Sequence, residues 1–244
     1  MTTQEVSKPK PTAVVYMPER EFLLPYFRRE LEDMNIVTDL TAATEASPEI
    51  SVMVSSTDIY TPKTGILLTE STETDSNSEW AAREREFSEY CHKKCLPVTI
   101  VRCPEVIGTG MRGLAMRMAR GIARGTLMHI RGNESDISLI HAVDVAHYAV
   151  NKRLTGHTVN LTDGAETSID ELIDALAARM NDKHVLTIKS ARIAKALYGR
   201  SYYGQLTQSV TYSNELAAKL LGDDFAPNKV TEYLRTHVYD ESSL

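Results

Sequence analysis

The first glycine of this 244-residue chain is Gly65. A β-α-β opening that receives a dinucleotide needs glycine between its first strand and first helix, so that backbone can approach a pyrophosphate. Here that turn reads Met17-Pro18-Glu19-Arg20-Glu21. Pro18 removes an N–H donor, and Glu19 and Glu21 repel phosphate. Arg20 offsets part of that repulsion without restoring the backbone approach. Ordinary NAD(P) binding at this turn is therefore not expected, nor is any other cofactor.

Other things are scarce too. No apolar run approaches the ~18 to 20 residues that a bilayer crossing requires, so no membrane partner is expected. Lys and Arg number 27 against 33 Asp and Glu, a net charge of −6. That lacks the basic face nucleic acid demands. The three cysteines, Cys91, Cys95 and Cys103, fit a reducing compartment, and a cytoplasmic location is the expectation. Cys91 and Cys95 stand one helical turn apart around His92, but CxxC spacing is missing and no metal site is expected. The opening MTTQEVSKPKPT is polar, with prolines at 9 and 11. It reads as a frayed tail over 1–11 rather than a signal peptide or anchor.

What is present is one ordinary soluble composition, 42% hydrophobic and 25% charged, enough for one core with a small appended subdomain. Leu96 to Gly110, LPVTIVRCPEVIGTG, organises the rest. Val98 to Val101 is β-branched throughout, as a strand buried on both faces would be. Arg102 and Pro104 break that pattern, Gly108 and Gly110 permit a tight loop, and a helix rich in Met and Arg follows. Strand, loop, helix is the grammar of an open α/β sheet, whose ligands bind outside the carboxyl ends of the strands.

Further strands are expected at Ala13 to Tyr16, Ile36 to Leu40, Ile50 to Val54 and Thr158 to Leu161. A brief extended piece is expected at Ile66 to Leu68. Helices are expected over Glu19 to Met34, with Pro25 a possible kink, and over Trp80 to Lys94, Leu114 to Arg124, Arg192 to Leu197, Ser213 to Leu221 and Asn228 to His237. Asp136 to Val150 begins extended and turns helical near Val143, with Asp144 placed to cap. Ser168-Ile-Asp-Glu171 matches a capping box, opening a helix to Met180. His141 and His147 fit core or edge positions better than a ligand set. Arg117, Arg120 and Arg124 share one helix side, with Leu114, Met118 and Ile122 on another. They form either a solvated basic face or a cationic wall beside an anionic ligand or acidic partner.

Taken together, Ser55-Ser56-Thr57-Asp58-Ile59-Tyr60 with Thr69-Glu70, Leu96 to Gly110, Ser138 to Ala146, Thr158 to Gly164 with Ser168 to Leu172, and Tyr212 to Gly222 resemble the extended short-chain dehydrogenases/reductases, in particular their nucleotide-sugar epimerase and dehydratase branch. These stretches cover about the last three quarters of the chain, in the family's order. The resemblance implies a Rossmann-like, doubly wound, mostly parallel α/β sheet over 12–164, with a small, mostly helical C-terminal subdomain over 165–244. Family members are longer, and the missing length falls between Leu40 and Ile50. The resemblance also implies a homodimer, formed by helices 80–94 and 114–124 packing on a second copy as a four-helix bundle.

The family's chemistry uses a Ser/Thr, a Tyr and a Lys, the tyrosine acting as general acid/base. Ser56 falls on the Ser/Thr position. Counting forward from Ser56 puts Trp80 at the Tyr and Glu84 at the Lys; counting back from Pro97 puts Ser76 and Trp80 there. Neither yields the pair. Tyr90 and Lys94 have the spacing, but Tyr90 lies roughly 15 Å further along the helix from Trp80, toward the wrong edge of the sheet. Thr57, Arg102 and Glu105 are the substrate-contact candidates, Glu105 standing where the family has an asparagine. Met17, Pro18, Glu19 and Arg20 replace the cofactor contacts. The expected function is a binding or assembly protein, taking a small-molecule or nucleotide-sugar ligand without dinucleotide or Tyr/Lys chemistry. The alternative is an isomerase, epimerase or lyase with rearranged residues, in which Glu84, Glu105 and Ser56 supply acid, base and positioning.

Overall fold

The structure, a computed structural model, describes residues 10–45, 48–61, 63–181 and 183–236. Residues 1–9 of the expected tail, and His237 of the expected last helix, lie outside them.

Five strands build the central sheet: β1 Thr12–Tyr16, β2 Asn35–Val37, β3 Ile50–Ser56, β4 Thr99–Cys103 and β5 Thr158–Asn160. Their spatial order is β5-β4-β3-β1-β2, every pairing parallel. β3 lies directly beside β1, Tyr16 opposite Met53. Among the described residues of the connection from β2 to β3 is one short 3-10 turn, Ala42–Glu45. Chain direction across the sheet reverses between β1 and β3, so the ligand crevice of an open α/β sheet belongs at their carboxyl ends.

Both faces of the sheet are covered, as the apolar runs require. Ala13, Val15, Val52, Val54 and Val101 pack on α1 (Leu24–Glu30) and on a later helix through Val145, Ala146 and Ala149. Val14, Met53 and Ile100 pack on Phe87, Tyr90 and Cys91 of α2 (Glu79–Lys93). The period-2 alternation thus splits each strand between two helical layers. Tyr90 is spent here, its hydroxyl donating to the Ala43 carbonyl at 3.3 Å.

A second core gathers α3 (Leu114–Ala123), α5 (Ile169–Arg179), α6 (Ala191–Thr207) and α8 (Val230–Thr236). Between them in sequence, α4 (Ala142–Ala149) and α7 (Glu215–Leu221) return to the first core. The two cores therefore interleave along the chain. The apolar face of α3 (Ala115, Met118, Ala119, Ile122) is buried in this second core, and α3 packs on α5. The outward side of α2 carries Ala82, Arg85, Glu86, Glu89, His92 and Lys93.

Local departures from the sequence reading have simple causes. Pro25 sits in the first turn of α1, where its missing N–H costs nothing, behind a 3-10 turn at Glu21–Leu23. It starts the helix rather than kinking it. His141, not Asp144, caps α4, its Nδ1 accepting the Val143 N–H at 3.4 Å. Asp144 instead accepts two bonds from Asn228. The capping box forms as expected, with Ser168 Oγ accepting the Glu171 N–H at 3.1 Å and Glu171 returning the bond at 3.2 Å. The last long helix runs well beyond Leu197, broken at Gly199, which takes φ +73°.

Candidate functional site

A cleft of about 630 Å³ opens at the carboxyl ends of β1 and β3, closed on its far side by residues of the second core. Its walls come from the turn after β1 (Glu19, Arg20), the segment after β3 (Ser56, Thr57, Asp58), and the segment after β4 (Pro104, Glu105). Trp80 from the start of α2 and Gln205, Gln208 and Tyr212 complete them.

The glycine-free turn is built without glycine. Glu19 itself takes φ +60°, and the Arg20 N–H donates to the Met17 carbonyl at 3.0 Å. A non-glycine residue in that region stores strain of order 1 kcal/mol. The turn sends Arg20 across the carboxyl end of β3, where its Nη2 donates to the Cys103 carbonyl at 2.9 Å. Glu19 is tied sideways to Arg83 at 2.8 Å, and Trp80 lies under both guanidinium groups, 5.6 Å from Arg20 and 5.2 Å from Arg83. Beside it, a smaller hollow of about 300 Å³ at the ends of β1 and β2 is walled by Pro18 and by the acids Glu21, Asp39 and Glu86.

Ser56 faces the cleft, but its hydroxyl is engaged locally. It donates to Asp58 at 3.0 Å and accepts the Asp58 N–H at 3.1 Å. Glu105 projects into the cleft from the segment following β4. Its carboxylate accepts the Ala115 N–H at 2.8 Å, at the start of α3. Burial pushes the Glu105 carboxyl above its ordinary value, with backbone donors at Ala115 and Leu114 opposing that shift. Gly113 makes the approach possible, because at φ +85° a Cβ would stand 2.8 Å from Glu105 Oε1.

Behind the cleft wall is a buried polar network. Arg102 donates to Glu84 through Nε at 2.9 Å and Nη2 at 2.7 Å. Ser55 donates to the same carboxylate at 2.7 Å. Arg102 Nη1 reaches the Tyr60 hydroxyl at 3.1 Å, which donates in turn to Asn160 at 2.6 Å.

No protein-family model matches the sequence, and no curated protein does either. Solved structures do resemble it. UDP-N-acetylglucosamine 4-epimerase from Bacillus cereus superposes with a TM-score of 0.64 at 14% identity, spanning 93% of this chain and 98% of that one. dTDP-glucose 4,6-dehydratase from Bacillus anthracis, complexed with NAD, gives 0.59 at 14% identity over 93% and 95%. UDP-glucuronic acid 4-epimerase from Bacillus cereus, complexed with NAD, gives 0.59 at 16% identity over 82% and 61%. This chain has the fold of the extended short-chain dehydrogenases/reductases.

Within that epimerase/dehydratase fold, the residues singled out in the sequence separate into two groups. Ser56, Thr57, Trp80 and Glu105 line the cleft together, as do Glu19 and Arg20. Glu84 and Arg102 do not line it; each satisfies the other inside the wall, both side chains only about a tenth exposed. Glu84 is thus placed away from the acid role that the rearranged-enzyme alternative gave it, and Arg102 away from substrate contact. The physical reason is that an unpaired charge at either position would be buried at large cost. Among the described residues, no lysine and no histidine lines the cleft. No group of three His, Cys, Asp or Glu among them could hold a metal ion.

Sequence reasoning did not single out Asp58, Tyr212, Gln205 or Gln208. Tyr212 enters because Thr211–Tyr212 pairs with Leu67–Leu68, bringing its ring 5.9 Å from that of Tyr60. Burial pushes the Tyr212 phenol up to about 12, with Thr57 hydrogen bonding opposing it, and raises Tyr60 as well. Both shifts run opposite to what a tyrosine general base requires.

Proposed function

We propose that this chain is a ligand-binding protein built on an epimerase/dehydratase fold, which takes a small polyhydroxylated molecule of the sugar or nucleotide-sugar kind without a dinucleotide and without Tyr/Lys acid–base chemistry. The observation that carries the reading is Arg20 lying from the end of β1 to the Cys103 carbonyl of β4. A coenzyme crossing the carboxyl ends of β1 and β3 would have to displace that side chain. It would then meet Glu19 where a backbone N–H nest should be. The acidic hollow beyond the turn adds repulsion for phosphate. Supporting the ligand class, the cleft offers hydroxyl, amide and carboxylate groups from Ser56, Thr57, Asp58, Gln205, Gln208 and Glu105. Its size falls in the range of small-molecule sites.

Thermal unfolding with each of NAD+, NADH, NADP+ and NADPH tests the first half, and no shift is expected. A panel of UDP- and dTDP-sugars tests the second, because a ligand at 100 times its dissociation constant adds ~2.7 kcal/mol. A clear shift with any dinucleotide overturns the reading.

One observation favours a second reading, an isomerase or lyase with rearranged residues. Glu105 presents a carboxyl of raised pKa inside the cleft, a property shared by catalytic acids and bases. Turnover of a nucleotide sugar that disappears in Glu105→Gln while binding persists would establish it. Binding without turnover in the unaltered protein removes it.

A further inference from the structure

A second hollow, of about 520 Å³, lies between α3 and α6, with Arg117, Arg120, Arg124, Leu197, Tyr198 and Tyr202 among its walls. Its charge sets it apart from the rest of this acidic chain. No Asp or Glu occurs between Glu105 and Glu134, and none between Asp182 and Glu215. These are the two segments that supply α3 and α6, so the walls carry arginines and no carboxylate to balance them. Helical spacing puts Arg117, Arg120 and Arg124 on one side over roughly 10 Å of axis. Arg117 is oriented by its partners, lying 4.0 Å over the Tyr202 ring and donating to Gln205 at 2.8 Å. The guanidinium groups of Arg120 and Arg124 have no ion-pair or hydrogen-bond partner among the described residues. The Tyr202 hydroxyl is buried in this wall without a hydrogen-bond partner. A buried hydroxyl so placed is costly unless something supplies an acceptor.

We infer that this hollow is a binding site for a small phosphoryl-bearing ligand, one carrying two or more phosphate groups. Arg120 and Arg124 supply the counter-charge, Arg117 fixes one end, and the Tyr202 hydroxyl donates to a phosphoryl oxygen. Guanidinium groups suit this ligand because they bind phosphate oxygens in pairs. A concave hollow of about 520 Å³ is of the size that small-molecule sites take. The site is separate from the cleft, and the inference does not depend on what occupies the latter.

Calorimetric titration of the whole chain with pyrophosphate and with tripolyphosphate at low ionic strength tests it. Both are expected to bind, tripolyphosphate more tightly, and both to weaken as salt is added. The Arg120→Gln/Arg124→Gln variant changes only exposed side chains. It is expected to lose about 100-fold in affinity, about 10-fold for each charge-assisted contact. Tyr202→Phe is expected to weaken binding several-fold with an unchanged circular dichroism spectrum. Arg20→Ala and Glu105→Gln, which alter the cleft, are expected to leave phosphate binding unchanged. The inference is overturned if neither phosphate binds at millimolar concentration, or if the double arginine variant binds as well as the parent. Binding of a poly-glutamate peptide where pyrophosphate fails would also overturn it, in favour of an acidic protein partner.

Discussion

Arg102 grips Glu84 with two N–H donations, Nε at 2.9 Å and Nη2 at 2.7 Å, from neighbouring secondary-structure layers. Glu84 is the residue that stands, by forward counting, where the epimerase family has its lysine. An acid there would repel a tyrosinate and, left alone, would be a buried charge. Arg102 on β4 neutralises it, and Ser55 supplies a further donor. Burial works against the Arg102 charge, yet the contact with Glu84 more than offsets that and raises its pKa. Glu84 and Arg102 thus sit in the core as a matched pair.

Removing one member of this pair should cost far more than removing both. Glu84→Gln is expected to destabilise the protein by roughly 3–5 kcal/mol, since it strands a buried guanidinium. Glu84→Leu/Arg102→Met is expected to recover most of that loss. Urea unfolding of the single and double variants measures the difference. Equal losses in both would mean the pair has no coupling.

The cleft carboxylate should leave a mark on the pH dependence of stability. Burial raises the Glu105 pKa above its ordinary 4.5, so the folded chain holds this proton more tightly than the unfolded chain. The stability it contributes is complete below about pH 4.5 and is lost as pH climbs through the folded value. Asp144 and Asp163, raised by burial as well, act in the same direction. Glu105→Gln is therefore expected to flatten, without abolishing, the decline in urea midpoint from pH 4.5 to neutrality. Parallel profiles for parent and variant would contradict a raised Glu105.

Thiol labelling should distinguish the three cysteines. Burial pushes Cys91 up to about 11 and Cys103 up to about 12, whereas Cys95 is exposed at the end of α2. A thiolate is the reactive form. Native protein is expected to yield one fast equivalent with a disulfide reagent, lost in Cys95→Ser, and three equivalents after denaturation. Two fast equivalents in the native state would place a second thiol at the surface.

The capping box offers a local check on the second core. Ser168→Ala removes the acceptor for the Glu171 N–H and is expected to cost about 1 kcal/mol. The loss should appear as a shifted urea midpoint with an unchanged slope.

Much of this architecture was legible because its signals are local. The β-branched run before Arg102 marked the doubly covered strand, and Ser168 with Glu171 marked a helix start to the residue. The glycine-free turn announced an altered opening of the sheet. Backbone propensity and side-chain period act within a few residues, so a single sequence carries them in full. Non-local partners were not legible. Glu84 and Glu105 looked alike as acids near one sheet edge, yet one is sealed against Arg102 and the other stands in the cleft.

The sequence by itself determined the α/β class, the parallel sheet, the missing glycine cradle and the absence of Tyr and Lys at the positions counted from Ser56. Tertiary structure alone decided that Arg20 closes on the Cys103 carbonyl, that Tyr212 reaches the cleft, and that three arginines meet two tyrosines between α3 and α6. Those outcomes depend on which strand ends and helix faces come together in space. The distances involved span tens of residues of chain, and no periodicity or spacing encodes them.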